Sequence, residues 1–107
     1  MKIEGLSPMV RVEVIIDGEQ AATIRDLFRE GGARGWTAVS GVSGFGHHGE
    51  HRGGLMFNDR SSPTWLLTIL PEDRAEALIS GIRRVLDEHS GVVFVSETQV
   101  SRGDYFR

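Results

Sequence analysis

The feature that most constrains the fold is a pair of strand-like apolar segments, each followed by a stretch of helical periodicity. In MVRVEVII, the apolar side chains of Val10, Val12, Val14 and Ile16 alternate with the others, which is the period of a β-strand. In TWLLTIL, residues 64–70, almost every side chain is apolar, which is typical of a central strand covered on both faces. The chain therefore contains two halves that each begin with a strand.

A helical pattern follows each of these strands. Ile24, Leu27 and Phe28 have the spacing of one helix face within residues 19–30, and the glycines of GGARG end that helix. The second helix is predicted to carry Pro71 at its first position, a site that proline favours. Its apolar stripe consists of Ala75, Leu78, Ile79, Ile82, Val85 and Leu86.

Two further strands are predicted, at residues 36–42 and 92–95, and LMF at 55–57 is a candidate for another extended segment. The resulting order is strand, helix, strand, loop, strand, helix, strand. This order predicts an α+β fold of the ferredoxin-like, βαββαβ type, with a four-stranded antiparallel sheet and both helices on one face. Residues 1–107 form a single domain in this interpretation, and its ferredoxin-like core covers residues 8–99.

The sheet face opposite the helices is predicted to be apolar as well. Ile15 lies opposite the Val10 set on the first strand, and Trp65, Leu67 and Ile69 lie opposite Leu66 and Leu70 on the third. Both predicted helices pack on the other face of the sheet, so no element of the same chain would cover this face in a monomer. An exposed apolar sheet face predicts self-association.

Composition excludes several classes of function. The 107 residues include no cysteine, which excludes disulfides, thiolate metal sites and cysteine nucleophiles and makes a cytoplasmic protein the simplest interpretation. The formal net charge is −3, which argues against a general nucleic-acid binder. The first ten residues contain no long apolar run, so no signal peptide or membrane span is predicted there.

A glycine-rich loop lies in the middle of the chain. GVSGFGHHGEHRGG, residues 41–54, contains six glycines, three histidines and Arg52. Successive backbone N–H groups in such a loop can converge into a nest that binds an anion, and Arg52 adds a two-pronged donor. A solvated loop with no ligand is the plain alternative.

Two other classes of function are considered for this chain. His47, His48 and His51, with Glu50, supply ligand types suited to zinc or nickel, so a metal-binding protein is the main alternative. A trimeric form of it is what a resemblance to the ferredoxin-like divalent-ion tolerance proteins implies. A small ferredoxin-like enzyme is the third, but the sequence shows no nucleophile elbow, Walker loop or Ser-His-Asp order. We therefore expect neither an enzyme nor a physiological metal site.

Several short motifs together resemble the PII signal-transduction family. The Gly-x-Thr strand and Gly-Phe-Gly turn of GWTAVSGVSGFG (35–46), the third strand ending in Leu70-Pro71, and the strand VFVSETQV follow the family's order over residues 10–102. The resemblance implies a homotrimer that binds adenine nucleotides and a small-molecule effector at clefts between subunits. It also implies a signalling T-loop, here residues 44–62, and a C-terminal tail, residues 100–107.

The resemblance also implies which residues bind ligands. By position, the candidate nucleotide-binding residues are Thr37, Gly44, Phe45, Gly46, His47, Leu70, Gly91 and Arg102. The candidate anion or bicarbonate ligands are Gly46, His48, Arg52 and Arg60.

Departures from the family pattern narrow the set of ligands and modifications that we expect for this chain. The stretch 47–62 contains no tyrosine, so tyrosine modification is excluded there. The usual lysine positions are occupied by Val92 and Thr64, which removes contacts to terminal phosphates. This abbreviated pattern is similar to the PII-like proteins associated with carboxysomes and bicarbonate transport. We therefore expect ADP or AMP and bicarbonate as ligands, no bound cofactor, and a bicarbonate transporter or carboxysome component as partner.

Overall fold

The computed structural model describes residues 1–46, 49–51 and 62–107. The strands in these residues are β1 (Ser7–Asp17), β2 (Thr37–Ser40), β3 (Gly44–Gly46), β4 (Gly49–His51), β5 (Pro63–Leu70) and β6 (Gly91–Val100). The helices are α1 (Ala21–Glu30) and α2 (Glu72–Leu86), and 3-10 turns cover Gly18–Gln20 and Gly103–Tyr105.

Four strands form one antiparallel sheet in the order β2-β5-β1-β6. β3 and β4 pair separately as a two-stranded ribbon. Each helix connects strands of the large sheet, so the chain has the predicted ferredoxin-like βαββαβ order. Both helices pack on the same sheet face, because their apolar side chains share one buried cluster with alternate residues of β1 and β5.

The core explains why the two strand–helix halves fold together. Val12, Val14 and Leu66 of the sheet, with Ile24 and Phe28 of α1, have no exposed surface. Burial of each such side chain contributes roughly 1.5–3 kcal/mol. The period-two pattern of β1 and the helical stripes therefore meet on a single surface, as the sequence predicts.

The opposite sheet face carries an uncovered apolar row. Register places Val39, Trp65, Ile15 and Val92 side by side across all four strands. Val39 is 46% exposed and Val92 41%, and Phe94 in the adjacent row is 52% exposed. The predicted bare apolar face is therefore present in the single chain.

One polar network crosses this face. The indole Nε1 of Trp65 donates a 2.9 Å hydrogen bond to Glu13 Oε2. The Nε atom of Arg11 lies 2.8 Å from Glu13 Oε1. Glu13 is thus compensated within its own chain, which leaves the apolar row free of an unpaired carboxylate.

The last strand is longer than hydrophobic alternation alone predicts. Alternation predicts a strand over 92–95, whereas β6 continues to Val100, through the segment VFVSETQV that the family resemblance gives as a strand. Residues 96–100 pair with residues 7–11 of β1, so backbone hydrogen bonding extends the strand through polar residues that carry no apolar pattern.

Three other boundaries differ from prediction. The sequence predicts β2 over 36–42, but the strand ends at Ser40, because Gly41 turns the chain with a φ of 72°. Pro71 is the N-cap of α2 rather than its first residue, since its ψ of 151° is extended. The sequence predicts α1 from residue 19, but the helix begins at Ala21, after the 3-10 turn.

Neither helix in the described ranges is long and apolar enough to cross a membrane.

Candidate functional site

Among the residues that the structure describes, the predicted nucleotide ligands other than Thr37 lie toward two ends of the sheet. Leu70 pairs with Val10 near the start of β1, and Arg102 follows Val100, which pairs with Ser7 at the same end. Gly91 pairs with Ile16 at the opposite end of β1.

The exit from β2 toward Gly44 also lies at the Gly91 end. Ser40 pairs with Thr64, and the Val42 N–H donates to the carbonyl of Pro63. Thr37 lies between the two ends, on the exposed edge strand β2.

The separation of these groups follows from strand geometry. Val10 and Ile16, which mark the two ends, are six residues apart on β1, or about 20 Å at the rise of a β-strand. Leu70 and Arg102 cannot contact the same base or phosphate as Gly91 within one chain. A site that uses all of them requires two chains.

Arg102 has an unusual backbone. Its φ of 56° places it in the left-handed region, which non-glycine residues seldom occupy. Its guanidinium lies 5.6 Å from the centre of the Tyr105 ring, and Nη1 is 3.3 Å from the Tyr105 hydroxyl. No described carboxylate forms an ion pair with Arg102, which is exposed, so its charge is available to an anion.

The tail that carries Arg102 is tightly packed. Gly103 is buried, and a Cβ at this position would lie 2.6 Å from Ser7 Oγ. Arg34 donates a 2.6 Å hydrogen bond from Nη1 to the carbonyl of Arg107, and Arg107 pairs with Asp104 at 2.9 Å. These contacts fix the backbone around Arg102.

The loop before Thr37 is held by side chains that the sequence reasoning missed. The Thr68 hydroxyl donates a 2.6 Å hydrogen bond to the carbonyl of Gly35. Arg74 donates from Nη1 to the carbonyl of Gly32 at 2.8 Å. Thr68 could have been noticed in the sequence, because it is a polar residue within the apolar segment TWLLTIL. No sequence pattern distinguishes Arg74 from the other arginines.

Two predicted site residues have structural reasons for their identity. The Leu70 side chain is fully buried in the core, so only its backbone can face a ligand. A Cβ at Gly91 would lie 2.8 Å from the carbonyl oxygen of Ile15 and 2.9 Å from Leu86 Cδ2. Close packing of β6 on β1 therefore requires glycine at position 91 whether or not a ligand binds there.

The loop residues are described only in part. Gly44 is exposed, and β3 pairs with β4 through Gly44–His51, Phe45–Glu50 and Gly46–Gly49. The predicted ligands His47, His48, Arg52 and Arg60 and the predicted extended segment 55–57 lie outside the described residues. In the described part of the chain, no group of three or more His, Asp or Glu side chains could hold a metal ion. The metal-binding alternative, which needs His47 and His48, stays a prediction.

A cavity of about 600 Å³ lies at the end of the sheet where Val10 pairs with Leu70. Its lining includes Met1, Ile3, Leu6, Glu72 and Gln99, and none of the predicted ligand-binding residues. Gln99 accepts from the Ile3 N–H at 3.1 Å and donates to the Met1 carbonyl at 2.6 Å. The cavity therefore lies beside the N-terminal segment and β6, at the same end of the sheet as Leu70 and Arg102.

Solved structures of one protein resemble the whole chain. CPII, a nitrogen regulatory PII-like protein from Thiomonas intermedia K12, bound to ADP, AMP and bicarbonate, is 36% identical with a TM-score of 0.89, and the match covers 95% of this chain and 96% of CPII. CPII bound to ADP and bicarbonate is 34% identical over 95% and 97%, with a TM-score of 0.85. The apo form is 32% identical over 91% and 96%, with a TM-score of 0.72.

The sequence itself matches a family model. No curated protein matches the chain. Residues 9–105, however, match the model of the nitrogen regulatory protein P-II, in agreement with the motifs of residues 10–102 and with the observed fold. The chain therefore belongs to the PII family of regulatory proteins.

Proposed function

We propose that this protein is a PII-like sensor that binds ADP or AMP at clefts between the subunits of a homotrimer and couples this binding to bicarbonate. The ligands of the similar CPII structures, ADP, AMP and bicarbonate, support this choice. A trimer is consistent with membership of the family. The uncovered apolar row of Val39, Trp65, Ile15 and Val92 supplies a surface for the association.

The observation that carries the proposal is the division of the candidate residues between two ends of the sheet. One subunit would supply Thr37, the backbone at Leu70 and the Arg102 guanidinium. Its neighbour would supply Gly91 and the turn Gly44, Phe45 and Gly46 with His47. The division supports an intersubunit cleft, because one chain alone holds these groups about 20 Å apart.

Bicarbonate would bind at the start of the T-loop. Gly46, His48, Arg52 and Arg60 are the proposed ligands, since backbone N–H groups and a planar guanidinium match a small planar oxyanion. The loop would acquire a fixed conformation when nucleotide and anion bind together. Each ligand then lowers the ordering cost left for the other, so the two bind cooperatively.

The proposed setting is inorganic-carbon uptake or the carboxysome, in the cytoplasm. Thr64 and Val92 stand at the positions of the family's lysines, so contacts to the terminal phosphates are lost, and the mono- and diphosphate should bind not much more weakly than the triphosphate. A bicarbonate transporter or a carboxysome component is the proposed partner. Signalling through a loop, rather than catalysis, is the proposed output.

Calorimetry and light scattering test this function together. We expect light scattering to give a trimer, and ADP to bind more tightly in bicarbonate than in chloride at matched pH and ionic strength. By linkage, ADP must tighten bicarbonate by the same factor. Equal ADP affinities in the two salts would contradict the proposed coupling to bicarbonate, but the proposal of a nucleotide sensor would stand. Absence of ADP and AMP binding, with stoichiometric nickel binding, would favour the metal alternative.

A further inference from the structure

Thr68 is a buried polar residue within the largely apolar strand β5. It lies on the helix-facing side of β5 between Leu66 and Leu70, which are fully buried, and it is itself only 2% exposed. Its hydroxyl reaches the carbonyl of Gly35, at 2.6 Å, in the loop that leads into β2. A buried hydroxyl that binds a loop carbonyl on a neighbouring element restrains that loop.

A second side chain restrains the same loop from α2. Arg74 donates to the carbonyl of Gly32 at 2.8 Å, and Gly32 has a φ of 84° that only glycine adopts readily. Trp36 packs against the core and lies 4.8 Å beneath the guanidinium of Arg29. The loop is thus held from β5, α1 and α2 immediately before Thr37.

We infer that Thr68 and Arg74 are positioning residues for the nucleotide site, acting through the loop 32–36 on Thr37. This inference rests on the proposed function. Thr37 lies on an exposed edge strand that pairs on one side only, with Leu67 of β5, so its position depends on the loop that precedes it. When the loop already holds Thr37 in its binding position, the free energy of ligand binding is not reduced by the entropy cost of ordering Thr37.

Thr64 supplies a matched control. It lies on the same face of β5, is 3% exposed, and pairs with Ser40 and Ile16, at the end of the strand distant from Gly35. Thr64→Val and Thr68→Val therefore remove the same buried hydroxyl from the same strand, and only Thr68→Val releases the loop. Thr68→Ser restores the hydroxyl and provides a rescue.

ADP affinity of the purified trimers, measured by calorimetry, tests the inference. We expect Thr68→Val to weaken ADP by about three- to tenfold, the range of one hydrogen bond, and Thr64→Val and Thr68→Ser to remain near wild type. Arg74→Met, at a half-buried position, should also weaken ADP binding, whereas Arg84→Met, at an exposed position near the far end of α2, should not. If Thr68→Val does not fold, the comparison of the two arginine variants decides the question.

A double-mutant cycle separates positioning from general destabilisation. In a Thr37→Val background, Thr68→Val should change ADP affinity by less than about twofold, because its effect passes through Thr37. Equal losses in Thr64→Val and Thr68→Val, or full additivity in the cycle, would overturn the inference while the nucleotide function stands. If the wild-type protein binds neither ADP nor AMP, the proposed function itself fails.

Discussion

Two replacements of Arg102 distinguish the contribution of its charge to nucleotide binding from the effect of its backbone strain on stability. Arg102 adopts a φ of 56°, and among the described residues it pairs with no carboxylate. Arg102→Ala removes the charge and keeps a Cβ in the left-handed region. Arg102→Gly removes both the charge and the Cβ. The two variants should therefore bind nucleotide equally poorly and differ in stability.

The magnitudes follow from these two features. A charge-assisted hydrogen bond to phosphate contributes about 1.5–3 kcal/mol, so both variants should bind ADP about 10- to 150-fold more weakly than wild type. A left-handed backbone costs a non-glycine residue about 1–2 kcal/mol, which glycine avoids. The greater backbone entropy of unfolded glycine offsets about 0.5–1 kcal/mol of that gain. The net difference is therefore between zero and about 1.5 kcal/mol, with Arg102→Gly the more stable variant.

Calorimetry with ADP and urea denaturation, at one protein concentration because assembly contributes to stability, measure these effects. Unchanged ADP affinity in Arg102→Ala would remove Arg102 from the site. Arg102→Ala measurably more stable than Arg102→Gly would refute the argument from strain. The two readouts are independent, so either part of the reasoning can fail alone.

Two further substitutions test the sheet. Ile15→Lys places a charge in the apolar row and should give monomers in light scattering, whereas Val95→Lys, at a 48% exposed position on the helix side of the sheet, should remain a trimer. Gly91→Ala places a Cβ 2.8 Å from the Ile15 carbonyl and should lower the free energy of unfolding by about 1–3 kcal/mol. Gly44→Ala, where a Cβ would have no neighbour within 4 Å, is its control, and equal stability of the two variants would contradict the packing argument.

Hydrophobic periodicity predicts the order of elements because each element here buries one face. The alternation of Val10, Val12 and Val14 and the stripe of α2 correspond directly to the observed core. β6 beyond Val95 is different: residues 96–100 join the sheet through backbone pairing with β1, and their polar side chains give no periodic signal. Edge strands of this kind are poorly visible to side-chain patterns.

The candidate site was only partly accessible from the sequence. The resemblance supplied residue positions, but not the register that places Leu70 and Gly91 at opposite ends of β1. The sequence also does not show that the backbone of Arg102 is in the left-handed region, or that the Thr68 hydroxyl donates a hydrogen bond to the carbonyl of Gly35. Each of these features depends on contacts between residues distant in the chain, which local propensity does not encode.

A cleft that takes residues from two chains links ligand binding to assembly. A ligand that binds only the assembled form stabilises that form by about 2.7 kcal/mol per site when its concentration is 100 times its dissociation constant. ADP should therefore shift the monomer–trimer equilibrium toward the trimer at low protein concentration. Ile15→Lys keeps every proposed ligand-binding residue in each chain, yet its monomers should not bind ADP, because Gly91 and Arg102 then remain at opposite ends of one sheet. ADP binding by such a monomer would show that one chain is sufficient and that the proposed cleft is not the site.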